Sequence, residues 1–121
     1  KHEAMQRTHP HVRPFVGDVR DKQRLDMAME HADICVHAAA MKSVPMCEYN
    51  PADADSINVV GTLNVLNSAR LHNTQTVFIS SDKAVEPVNL YGLQRLLSWP
   101  LLCSALRQRH GLYRVGSAAV A

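Results

Sequence analysis

The sequence predicts an α/β fold, a doubly wound parallel sheet with helices on both faces. Three observations predict it. Two short apolar runs, Ile34–Ala38 and Thr76–Ser80, lack the alternation of a half-solvated strand, as strands buried on both faces do. Segments with helical spacing separate and follow them. Each run gives way to small or polar residues, and ligands of parallel sheets bind beyond the carboxyl ends of the strands.

Each element has its own signal. Lys1–Thr8 reads as the end of a helix, closed by His9-Pro10. Val12–Val16 is a short extended run, the first strand, ending at Gly17-Asp18. Asp21–His31 places Leu25, Ala28 and Met29 at helical spacing behind Asp21 as N-cap. Ile34–Ala38 is the second strand, and a loop is expected over Ala39–Tyr49. Asn50-Pro51 marks a strong helix start, with proline at the first helical position. That helix is expected to reach Leu71, with Ala54, Asn58, Gly61 and Val65 on one face, and Gly61 allowing close approach to the sheet. Thr76–Ser80 is the third strand, and a polar loop covers Ser81–Asn89. A further helix begins near Leu90, and Leu112–Val115 starts a last strand.

Composition bounds the function. The 121 residues suffice for one domain, 1–121, and 46% hydrophobic with 20% charged side chains excludes a disordered chain. Lys and Arg number 13 against 11 Asp and Glu, a formal net charge of +2, and no basic block occurs, so nucleic acid is not an expected partner. The seven histidines form no His-x-x-x-His pair, and no metal is expected. Cys35, Cys47 and Cys103 are odd in number, without Cys-x-x-Cys, and read as free thiols of a reducing compartment. No apolar run spans a bilayer and no signal peptide is present. A cytoplasmic location is therefore expected, with a membrane-anchored longer parent left open.

The chemistry-bearing residues lie in the three loops after the strands. In Gly17-Asp18-Val19-Arg20-Asp21, the acidic residue either caps a helix or accepts a hydrogen bond from an adenine amino group. In His37-Ala38-Ala39-Ala40-Met41-Lys42, the small residues serve either tight packing or the approach of a flat or phosphorylated ligand, and Lys42 either faces solvent or reaches a cofactor hydroxyl or phosphate. The third loop sets Ser80, Ser81, Asp82 and Lys83 consecutively at a strand end. Tyr91 follows at a helix start, with Arg95 four residues on and on the same face. A cation near a phenol favours the phenolate, which can then act as a base.

Taken together, these motifs are similar to one family. Gly17-Asp18-Val19-Arg20-Asp21, His37 to Lys42 with Val44-Pro45, Glu48-Tyr49-Asn50-Pro51, Asn58-Val59-Val60-Gly61-Thr62, Ser81-Asp82-Lys83-Ala84 and Pro87-Val88-Asn89-Leu90-Tyr91-Gly92 follow it in order and spacing. The chain resembles the inverting UDP-N-acetylglucosamine 4,6-dehydratases, the capsule-type polysaccharide biosynthesis proteins of the extended short-chain dehydrogenase/reductase superfamily. The resemblance implies a partial Rossmann-type domain, lacking the N-terminal Gly-rich βαβ unit and the C-terminal substrate domain. It implies a lyase that uses NAD(P), with NADP slightly preferred, on a UDP-sugar, with a homo-oligomer as a possible assembly. Bound NAD(P)+ would take hydride from C4 while Tyr91 removes the O4 proton. Lys83 would then remove the C5 proton, Asp82 would protonate the departing C6 hydroxyl, and Ser81 would bind the O4 region. Asp18, Val19, Ala38, Ala39, Lys42, Ser80, Tyr91 and Arg95 would line the cofactor. The sequence departs from the family in carrying Tyr91-x-x-x-Arg95 in place of Tyr-x-x-x-Lys, and Ser98-Trp99-Pro100 is expected to interrupt the last helix. The chain alone is expected to be incomplete and inactive. The alternatives are an inactive fragment or interaction module of the same fold, or a related nucleotide-sugar epimerase.

Overall fold

In the computed structural model, residues 7–107 are described. The strand expected at Leu112–Val115 and residues 1–6 of the opening segment lie outside them. Asp21 accepts a hydrogen bond from the Arg24 N–H at 3.0 Å and so caps α1 (Lys22–Met29). Strand β1 (Ile34–His37) pairs in parallel with β2 (Gln75–Phe78), Ile34 beside Gln75 and His37 beside Phe78. Between them the chain forms α2 (Val44–Tyr49), α3 (Pro51–Asp55), a π turn (Ser56–Val60) and α4 (Gly61–His72). Asn73, in the left-handed conformation at φ 59°, ends α4. A 3₁₀ turn (Asp82–Ala84) follows β2, and α5 (Leu90–Arg107) closes the described chain.

Several expectations change. The loop expected over 39–49 contains α2, whose start carries Pro45 in its first turn. Val12–Val16 is irregular: no strand among the described residues lies beside it to complete a ladder. The strands are not buried on both faces. Cys35, His37, Thr76 and Phe78 share one face, and α1, α4 and α5 all pack there through Met29, Val65, Ala69, Leu66 and Leu101. On the other face Ile34 and Val36 are 62% and 61% exposed, because no helix among the described residues covers it.

The face Ala54, Asn58, Gly61 and Val65 is buried as expected. Gly61, however, yields room to a loop rather than to the sheet: a Cβ there would stand 2.6 Å from Val19 Cγ2. Pro100 does not interrupt α5, which runs unbroken through it. The carbonyl that loses its donor belongs to Leu96, and Leu96 and Pro100 are both exposed. No helix among the described residues is long and apolar enough to cross a membrane.

Candidate functional site

The parallel strands send the loops after His37 and Phe78 out of one sheet edge. Helix α4 runs back over the sheet, so its first turn lies at that same edge, where Thr62 Oγ1 stands 3.0 Å from His37 Nε2. The loop at Gly17 is fastened to this turn. Val19 fills the space over Gly61, and Asn64 Nδ2 donates to the carbonyls of Val19 and Arg20 at 3.1 and 3.2 Å. Arg20 clasps Asp18 through its Nε at 3.0 Å and Nη2 at 2.6 Å, and through its backbone N–H at 2.9 Å. These bonds hold the Asp18 carboxyl at about 2. Beside them lies a cavity of about 160 Å³, bounded by Phe15, Asp18, Val19, Arg24 and Leu25 among others.

The second loop leaves a shelf of two exposed small side chains, Ala38 and Ala39, followed by the exposed Lys42. Its backbone is pinned from below by Asn58, a fully buried residue of the π turn. The Met41 N–H donates to Asn58 Oδ1 at 2.9 Å, and Asn58 Nδ2 donates to the Met41 carbonyl at 3.0 Å. Asn58 Nδ2 also reaches Gln94 Oε1 at 2.7 Å, and Gln94 Nε2 donates to Asp55 at 2.6 Å. The π turn admits one extra residue per turn, and such turns recur at functional sites. The Thr62 hydroxyl has one proton, which it gives to the Asn58 carbonyl at 2.6 Å. His37 must therefore donate to Thr62 from Nε2. Burial, reinforced by the Arg95 charge, lowers its pKa to about 4, so the ring is neutral near pH 7.

The third loop carries the densest polar cluster. Ser81 Oγ accepts from the Lys83 N–H at 3.2 Å and so caps the 3₁₀ turn. The Ser81 hydroxyl donates to Asp82 at 3.1 Å, and Lys83 Nζ lies 3.4 Å from the same oxygen. The Ser81 bond first, and the Lys83 charge after it, keep the Asp82 carboxyl below its ordinary value. Asp82 and Lys83 are exposed, while Ser80 and Ser81 are half-buried. The turn is locked to the first turn of α5: a Cβ on Gly92 would come within 2.2 Å of the Lys83 carbonyl oxygen. Tyr91, beside Gly92, is 7% exposed and packs on Cys47 and Ala54.

Arg95 is 2% exposed. Its guanidinium lies 4.3 Å over the Phe78 ring and donates through one Nη to the Ile79 carbonyl, at the end of the strand. Its Nε and other Nη are buried without partners. Burial pulls its pKa down, against the raising effect of Tyr91.

The sequence-predicted residues thus fall into two groups. Ser80, Ser81, Asp82, Lys83, Tyr91 and Arg95 surround the end of β2, with Ala38, Ala39 and Lys42 on the neighbouring loop. Asp18 and Val19 stand on the α1–α4 side. Sequence reasoning gave no role to Gln94, and saw Glu48, Asn58 and Thr62 only as parts of motifs, Asn58 also as a helix-face residue. The signal at Asn58 was an amide on an otherwise apolar face. The others act through partners far away in sequence. Among the described residues no three His, Cys, Asp or Glu side chains gather as a metal site.

The comparisons agree on a lineage. A family described as "Polysaccharide biosynthesis protein" matches residues 1–115. An uncharacterized membrane protein of Methanocaldococcus jannaschii is 50% identical over 95 residues, covering 78% of this chain and 28% of the relative. A UDP-N-acetylglucosamine 4,6-dehydratase (inverting) of Campylobacter jejuni is 42% identical over 115 residues, covering 89% and 34%. The chain thus spans about a third of the length of these relatives. Among solved structures, Pen from Bacillus thuringiensis superposes with a TM-score of 0.85 at 35% identity, covering 96% of this chain and 37% of that one. A UDP-glucose 4-epimerase from Brucella ovis in complex with NAD gives 0.74 at 27% identity, covering 80% and 35%.

Proposed function

The chain belongs to the polysaccharide biosynthesis protein family and has a partial Rossmann-type fold, and from that premise we propose that it carries part of the reaction centre of a nucleotide-sugar 4,6-dehydratase acting on UDP-N-acetylglucosamine or a close analogue. The observation that carries this reading is the Ser81-Asp82-Lys83 turn locked by Gly92 to the helix start bearing Tyr91. In this reading base, acid and phenol would face one substrate from adjoining elements, and such placement removes much of the entropic part of a barrier.

The residues also suit a nicotinamide dinucleotide. The Ala38-Ala39 shelf offers no side chain beyond a methyl. Two nitrogens of Arg95 are buried without an acceptor, and a ribose hydroxyl that reached them would provide one. NAD(P)+ bound there would supply the temporary acceptor for the C4 hydrogen, which would return to C6 after water has left, so that the cofactor is regenerated. NADP is the form proposed, since the exposed Lys42 offers an ammonium to an extra phosphate. Tyr91 takes the O4 proton, and Ser81 holds that oxygen. Lys83, exposed and beside Asp82, takes the C5 proton. Asp82, ionised in the free protein, would first receive the Lys83 proton across their 3.4 Å contact and then give it to the leaving C6 hydroxyl, so that water departs. A second copy of the chain is the proposed cover for Leu93, Leu96 and Leu97, an exposed uncharged stripe of α5 that meets its own mate without like-charge repulsion.

The test is made in the complete protein with UDP-N-acetylglucosamine in deuterated water. Lys83→Ala is expected to cut dehydration at least a hundredfold and to abolish deuterium entry at C5, while cofactor binding by calorimetry stays within about threefold. Unchanged product formation removes the assignment. An epimerised sugar that retains its C6 hydroxyl would support the epimerase reading instead.

A further inference from the structure

The first N–H groups of a helix have no partner within it. In α5 they are satisfied from two directions. Asn89 Oδ1 accepts from the Gly92 N–H at 2.8 Å, an ordinary local cap. The Leu90 N–H is met instead by Glu48 Oε1 at 2.8 Å, from a residue 42 positions upstream in α2. A carboxylate at this place also complements the positive end of the helix. The next residue in the chain is Tyr91, and its ring rests on Cys47, the neighbour of Glu48. Helix α2 therefore grips Tyr91 twice, by the ring through Cys47 and by the backbone through Glu48. It follows directly on the Ala38–Lys42 shelf, which Cys47 Sγ also touches through the Met41 carbonyl at 3.3 Å. On the opposite side of the same helical turn, Gly92 abuts the Lys83 carbonyl.

We infer that Glu48 is a positioning residue for the reaction: its carboxylate, through the Leu90 N–H, sets where Tyr91 stands relative to the cofactor shelf and to Lys83. The inference rests on the dehydratase reading for its chemistry and on the Glu48–Leu90 bond for its structure, and the two are tested separately. Glutamine keeps the accepting oxygen and loses the charge. Alanine loses both. Any cap contributes to stability, but only a positioning role changes turnover per folded molecule.

In the complete protein, kcat and KM for UDP-N-acetylglucosamine are measured well below the unfolding temperature for the native residue, Glu48→Gln and Glu48→Ala. Hydrogen exchange over residues 90–92 is followed in parallel. Glu48→Ala is expected to lower kcat about tenfold or more with KM within about twofold, and to speed exchange of the Leu90 amide by a similar factor. Glu48→Gln is expected to restore kcat to within about threefold. Turnover of Glu48→Ala within twofold of native overturns the inference, as does a glutamine variant that falls as far as alanine. Unchanged Leu90 exchange in Glu48→Ala overturns the tether itself. A native protein that does not dehydrate the substrate at all overturns the dehydratase reading, and the exchange comparison then still decides the tether.

Discussion

His37 shows how burial gives a single residue a measurable signature. Its ring is 3% exposed and its pKa falls to about 4 from an ordinary 6.5, through burial first and the Arg95 charge second. The unfolded chain therefore binds a proton that the folded chain refuses. The stabilising effect of the neutral ring is complete above pH 6.5 and is lost as pH falls toward 4, at about 1.4 kcal/mol per pH unit. The depressed carboxyls of Asp18, Asp26 and Asp82 lose their contribution only below this window. Urea unfolding at pH 6.5 and pH 4.5 is expected to differ by about 2–3 kcal/mol, and His37→Gln is expected to remove most of that difference. An equal slope in the variant would place the titration elsewhere. Arg95 makes the opposite point: two of its nitrogens are buried without a partner, and an unpaired buried donor costs about 1–3 kcal/mol.

At the scale of elements, α5 carries a defect that the helix absorbs. Pro100 removes the donor for the Leu96 carbonyl, a loss of about 3 kcal/mol in a helix interior. Proline also restricts the unfolded chain, returning about 0.4–1 kcal/mol. Pro100→Ala is therefore expected to raise stability by about 2 kcal/mol in chemical denaturation. A decrease would show that the ring is making contacts its exposure does not suggest. The break between α3 and α4 is of another kind. The π turn displaces Asn58 so that one amide holds both backbone groups of Met41 and reaches Gln94. Helix, loop and the Tyr91 helix are joined at that point by fully buried polar groups, which are stable only when every partner is present.

At the scale of the whole fold, the described residues are one-sided. Their helices crowd one face of a two-stranded sheet, and Ile34 and Val36 lie open on the other. Parallel sheets are ordinarily covered on both faces, and two strands alone are marginal. The 121-residue chain is accordingly expected to bind an apolar fluorescent dye. Replacing Ile34 and Val36 together by lysine is expected to reduce the dye signal severalfold with little change in far-ultraviolet circular dichroism. Undiminished dye binding would locate the exposed apolar surface on α5 instead, at Leu93, Leu96 and Leu97.

Local signals in the sequence determined the α/β class, the Asp21 cap, the Asn50-Pro51 helix start, the buried face Ala54–Asn58–Gly61–Val65 and the polar turn Ser81-Asp82-Lys83 ahead of Tyr91. Each depends on spacing or on a residue's own backbone preference, and both survive without knowledge of neighbours. The tertiary structure decided the rest. Among the described residues it left one sheet face bare, turned the space over Gly61 toward Val19, carried α5 through Pro100 and bent Arg95 back to the Ile79 carbonyl. It also joined Glu48 to Leu90 and Asn58 to Gln94 across 42 and 36 residues. Burial and long-range hydrogen bonds belong to pairs of distant segments, and a pair has no energy until the fold brings its members together.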